Sequence, residues 1–75
     1  MQQNVMGVIR MWIKFYLRRY DEMVEQEIAR VRDYASARLL ESEYRRVYSN
    51  GKFYLAKKEG RKKRETICYI ATSIN

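Results

Sequence analysis

The chain has 75 residues with one cysteine, no histidine and no proline, and its 16 Lys and Arg against 9 Asp and Glu give a formal net charge of +7. A single domain of this size removes only about 60% of its unfolded surface from water, so such domains usually gain stability from disulfides, a metal or a second subunit. With a lone Cys68 an internal disulfide is excluded. Without histidine or a second cysteine only an oxygen-ligand metal site is conceivable, and no EF-hand spacing is present, so no metal and no cofactor is expected. A homo-oligomer, with a dimer favoured, is the expected remedy, and the unpaired cysteine suits a reducing, cytoplasmic setting, or a host cytoplasm if the chain is viral.

Charge is unevenly spread. Residues 1–20 carry Arg10, Lys14, Arg18 and Arg19 with no acid, residues 21–50 hold seven acids and five bases, and residues 51–75 hold seven bases against Glu59 and Glu65. Cationic ends thus flank a nearly balanced middle. Arg10 and Lys14 interrupt the only run that approaches the roughly 18 apolar residues of a membrane span, and the N-terminus lacks the features of a secretory signal.

Between Gly7 and Gly51 no glycine or proline forces a break, and apolar residues recur at helical spacing: Val5, Val8, Ile9, Trp12, Phe15, Tyr16 and Tyr20, then Val24, Ile28, Val31 and Ala35, then Leu40, Tyr44 and Val47. This predicts an α+β fold with one long or two packed helices over about 4–48, Asn4 capping the start and Asn50-Gly51 the end. The apolar stripe drifts around the helix, which argues against a regular coiled coil. A bend at Arg18–Glu22 would give two helices, whereas an i,i+4 pair of Arg18 with Glu22 would favour one.

After Gly51, residues 52–58 and 64–72 read as the strands of a β-hairpin. The favoured register sets Phe53 opposite Tyr69, Leu55 opposite Ile67 and Lys57 opposite Glu65, with Glu59–Lys63 as the loop. The chain is expected to be one small domain spanning residues 1–75, helical over residues 1–50 and a hairpin over residues 51–75.

Catalysis is not expected. There is no histidine to activate a nucleophile, Cys68 lies between Ile67 and Tyr69 without a neighbouring base, and the carboxylate pairs Asp21/Glu25 and Glu41/Glu43 sit beside arginines on what reads as a solvated helix face. No phosphate-cradling glycine motif occurs, and neither ribbon-helix-helix order nor helix-turn-helix spacing fits.

The densest local signal is the run Lys57, Lys58, Arg61, Lys62, Lys63 and Arg64, with Glu59 as the only acid within it. A β-ribbon with such a tip suits DNA or RNA phosphates, and Tyr54 and Phe53 add stacking surface. Nucleic-acid binding through this hairpin is therefore the leading expectation, with Val5, Val8, Ile9, Trp12, Phe15, Tyr16 and Tyr20 as an aromatic helix face that forms the dimer. Two alternatives stand beside it. A regulator or inhibitor of phage or viral type would bind an acidic protein partner through its arginines and aromatics. A membrane-surface helix over 4–20 would use Arg10, Lys14 and Arg18 against anionic lipid.

Overall fold

The structure, a computed structural model, describes residues 11–70. Its elements are β1 (Ile13–Arg19), β2 (Gln26–Val31), α1 (Tyr34–Tyr48), β3 (Phe53–Glu59) and β4 (Glu65–Cys68). The strands form one antiparallel sheet in the order β2-β1-β3-β4. The expected order of helices over 4–48 followed by a hairpin is thereby overturned: among the described residues two strands come first and a single helix follows. Asn4 and the start of the proposed membrane helix lie outside the described residues, but Ile13–Arg19 is strand, so a helix over 4–20 does not form.

In β1 the side chains alternate. Ile13 and Phe15 are buried, while Trp12, Lys14, Tyr16 and Arg18 point to the other face. The chain then reverses at 20–25 without glycine or proline, held by polar contacts. The Arg19 guanidinium donates to both carboxylate oxygens of Asp21 at 3.0 and 2.7 Å, and Arg18 donates to the Glu22 carbonyl at 2.9 Å. The anticipated bend at Arg18–Glu22 is thus a strand-to-strand turn. A bulge in the β1–β2 ladder, where Phe15 pairs with Ala29 but Tyr16 with Glu27, leaves Ile28 as the extra residue. Ile28 and Ala29 consequently both pack on the core.

β2 and β3 both run antiparallel to β1 and therefore parallel to each other, a relation no short turn can join. α1 makes that connection. Asp33 caps it in extended conformation, its carboxylate accepting the Ser36 N–H at 2.8 Å, and Arg45 and Arg46 occupy the last turn, where cations suit the helix dipole. Gly51, at φ 84°, turns the chain out of the helix, and Asn50 Oδ1 accepts the Lys52 N–H.

Ala37, Leu40, Tyr44 and Tyr48 recur at helical spacing along the sheet-facing side of α1. Phe15 meets Tyr44 edge-on at 5.7 Å between ring centroids, Tyr44 meets Tyr48 at 5.9 Å, and Tyr48 meets Phe53 at 5.0 Å, giving an aromatic chain from mid-sheet to the start of β3. Leu55 is fully buried on the same side of the sheet as Phe53.

β3 and β4 pair as an antiparallel hairpin with Lys57 opposite Glu65, but the remaining expected register is not observed. Leu55 faces Cys68 rather than Ile67 because a second bulge falls between Leu55 and Ala56, and β4 ends before Tyr69. Gly60 takes φ 54° in the connecting turn, where an added Cβ would lie 2.5 Å from Met11 Sδ.

With Phe15 at the centre of so thin a core, Phe15→Ala should cost about 3–5 kcal/mol. That is close to the whole stability of such a domain, which runs at about 0.05–0.15 kcal/mol per residue. The variant should lose its cooperative thermal transition by circular dichroism, while Tyr20→Ala, at a position 61% exposed, should stay within about 0.5 kcal/mol of the parent.

The cap yields a pH prediction. The Ser36 backbone N–H holds the Asp33 carboxyl below its usual range, and a hydrogen bond from Arg19 does the same for Asp21. Depressed folded-state values mean that both groups stabilise the fold above their unfolded value of about 3.9 and lose that contribution as pH falls through the lower folded values. Asp33→Ala should therefore lower the melting temperature at neutral pH, and its difference from the parent should shrink below about pH 4.

Candidate nucleic-acid interface

α1 packs on only one face of the sheet. On the opposite face, strand alternation gathers Trp12, Lys14, Tyr16 and Arg18 from β1 and its approach, Glu27 and Arg30 from β2, Tyr54, Ala56 and Lys58 from β3, and Thr66 from β4, with Arg64 just before it. Among the described residues no secondary-structure element covers this face. Its own side chains do.

Guanidinium groups lie over each of its aromatic rings. Arg30 and Arg32 stand 5.5 and 5.0 Å from the Trp12 centroid, Arg64 stands 4.9 Å from Tyr16, and Arg18 and Arg64 stand 5.5 and 5.9 Å from Tyr54. The Tyr54 hydroxyl is fixed by Thr66 Oγ1 at 3.0 Å. Arg64 also reaches across the sheet from the β4 side to an ion pair with Glu25, beside β2.

A row of three cations crosses one end of this face, because Lys14 is the direct partner of both Arg30 on β2 and Lys58 on β3. Arg30 is neutralised by Glu27 at 2.6 Å, but among the described residues no carboxylate lies within ion-pair distance of Lys14 or Lys58. Like charges directly opposite one another destabilise a sheet. The row leads into a cleft of about 380 Å³ lined by Met11, Trp12, Lys14, Tyr16, Lys58, Gly60 and Arg61. Aromatic surface and unneutralised ammonium groups thus meet in one concavity.

The structure divides the residues singled out by the sequence. Tyr54, Lys58 and Arg64 join the open face, and Arg61 lines the cleft. Lys57 does not belong with them: it points to the helix side, 2.6 Å from Glu41 and 3.6 Å from Glu65. Burial alone would lower its ammonium pKa, but the hydrogen bond to Glu41 and the charges of Glu41 and Glu65 raise it overall. Lys57 therefore ties sheet to helix. Lys62 sits 3.5 Å from Glu59, whose carboxyl is held low by the Tyr34 hydroxyl and by Lys62. Lys62 and Lys63 line a separate hollow with Tyr34 and Arg38 near the start of α1. The six-cation run is not one surface, and Phe53 packs on Tyr48 instead of offering a stacking platform.

The proposed dimer face also disperses. Val5, Val8 and Ile9 lie outside the described residues, Phe15 is fully buried in the chain's own core, Trp12 and Tyr16 lie on the open sheet face, and Tyr20 is exposed in the β1–β2 turn. Residues four apart share a face in either a helix or a strand, but Phe15 and Tyr16 are adjacent and point opposite ways.

Each carboxylate of the two pairs noted in the sequence is matched to a base: Asp21 to Arg19, Glu25 to Arg64, Glu41 to Lys57 and Arg45, and Glu43 to Arg46. Cys68 is buried, and that burial pushes its thiol above the ordinary value, with Arg45 pulling the other way. Among the described residues no group of three or more His, Cys, Asp and Glu is placed to hold a metal, and no helix is long and apolar enough to cross a membrane.

Sequence reading missed Arg30, Arg32 and Glu25 as members of this face, and it assigned Lys14 and Arg18 to a helical stripe. The signal that could have placed Lys14 and Arg18 was their alternation with Ile13, Phe15 and Leu17, whereas the bulge at Ile28 hides the phase of β2. No protein-family profile, curated protein or solved structure matches the chain.

The opposed lysines make a stability prediction. Lys58→Glu places an acid directly across from Lys14 and should stabilise the fold by roughly 0.2–1 kcal/mol. That corresponds to a rise of a few degrees in melting temperature, measurable by calorimetry at low salt.

Proposed function

We propose that this chain is a small nucleic-acid-binding protein whose contact surface is the open sheet face rather than the tip of the β3–β4 hairpin. The observation that carries the reading is the row Arg30–Lys14–Lys58, in which two unneutralised lysines oppose each other beside the cleft walled by Trp12 and Tyr16. Repulsion of this kind costs stability in the free protein and is relieved when polyanion phosphates settle over it. Rings next to the row supply stacking surface of the kind that nucleic-acid-binding sheets use. In this reading Lys14, Lys58 and Arg61 contact phosphates, Arg30 and Arg18 flank them, and Lys57 serves the fold.

Fluorescence anisotropy with labelled DNA and RNA oligonucleotides tests this. Binding should be strong at about 50 mM salt and fall steeply by about 200 mM, with a log–log slope set by about 0.7–0.9 per neutralised phosphate. The double variant Lys14→Ala/Lys58→Ala should weaken affinity by an order of magnitude or more and flatten the slope by about 1.4–1.8. Lys62→Ala/Lys63→Ala, on the other side of the hairpin, should change far less. Equal binding by the two double variants, or no binding by the parent at low salt, would remove the proposal.

A further inference from the structure

Arg64 occupies the place a base would take. Its guanidinium lies over Tyr16 at 4.9 Å and Tyr54 at 5.9 Å, and its charge is held by Glu25 on the far side of the sheet. Below it Tyr16 and Tyr54 are half-buried, and the fully buried Ala56, direct partner of Tyr16, adds no bulk that would keep a planar group off the sheet. Tyr54 is further braced by Thr66 and by Arg18, so its ring is held in place independently of Arg64.

Planar guanidinium and planar nucleobase compete for the same aromatic faces, because both bind by stacking against the π-surface. A phosphate and the Glu25 carboxylate likewise compete for the same guanidinium fork, since both accept paired N–H donors. The Arg64–Glu25 pair is exposed enough to break at small cost: the two side chains retain 38% and 27% of their accessible surface, and such pairs contribute roughly 0–1 kcal/mol.

Resting on the nucleic-acid reading above, we propose that the ligand is single-stranded, with unpaired bases stacking on Tyr16 and Tyr54, and that Arg64 is a gate which swings from Glu25 to a phosphate as the strand enters. Glu25 is then an internal competitor of the ligand. A duplex, whose bases are already stacked on one another, can engage the lysine row but not the rings.

Three variants and two probes decide this. The probes are a labelled oligothymidylate of about twelve nucleotides and a hairpin duplex of similar charge. The parent should bind the single strand several-fold more tightly than the duplex. Glu25→Gln should raise single-strand affinity roughly three- to five-fold, the magnitude of an exposed ion pair, and steepen its salt slope by up to about 0.7, since no vacated carboxylate then takes up a cation to offset the counterions released from the strand.

Glu43→Gln makes the same change of net charge and also frees an arginine, Arg46, but on the exposed helix. It should leave single-strand affinity within about two-fold of the parent, less than the loss of an exposed pair at the site itself. Tyr16→Leu should reduce the preference for single strand, with Tyr54 left as the one remaining platform, while keeping duplex binding.

Equal gains from Glu25→Gln and Glu43→Gln would show a simple charge effect and overturn the gate. Equal binding of single strand and duplex by the parent would overturn the ligand class. In either case a continued dependence on Lys14 and Lys58 leaves the broader binding surface standing, whereas no binding by any of the proteins removes both.

Discussion

Phe15 is the point at which the elements of this small fold converge. It lies mid-way along the central strand, opposite Ala29 on one neighbour and Lys57 on the other, and its ring meets Tyr44 of the helix edge-on. Among the described residues only Ile13, Ala37, Leu55, Ala56 and Cys68 are buried with it, and Ala56 faces the other side of the sheet, so they supply material for one core and no more. A single 15-residue helix can cover one side of a four-stranded sheet, and it does so over Phe15. The character of the sheet's other side follows from that limit, since no described element forms a second layer for its side chains to pack against.

What the uncovered face carries is unusual for a surface that water alone would shape. Arginines lie on tryptophan and tyrosine rings, an arrangement that shields apolar area while leaving charge outward. Its acids Glu25 and Glu27 are consumed in pairs with arginine, so the lysines retain the excess charge. The two faces of one strand thus divide the labour: β1 holds the fold together with Ile13 and Phe15 and presents Lys14 and Tyr16 to whatever approaches.

That division was written in the sequence but masked by a degeneracy. Arg10, Lys14 and Arg18, or Trp12, Tyr16 and Tyr20, are spaced by four, and a spacing of four keeps residues on one side of a helix and of a strand alike. The discriminating positions were the odd-numbered Ile13, Phe15 and Leu17, whose alternation with Lys14 and Arg18 fits only a strand. Aromatic residues on the outward side hid it, since Trp12 and Tyr16 score as apolar. The turn at 20–25 contains no glycine or proline and relies on arginine contacts to carbonyl and carboxylate, which propensity does not reveal. The bulge at Ile28 then shifted the phase of β2. The Asp33 cap was legible in principle as a cap, and the pairing of Lys57 with Glu65 was anticipated. The role of Lys57 in tying helix to sheet, however, depends on Glu41, which no local pattern connects to it.

The facing ammonium groups of Lys14 and Lys58 give the protein two opposed responses to ionic strength. Dissolved ions shorten the range of the repulsion between them, and at about 0.15 M the screening length is already near 8 Å. Electrolyte therefore relaxes the empty sheet while it loosens any polyanion held there, so a saline medium favours the unoccupied state from both sides of the equilibrium.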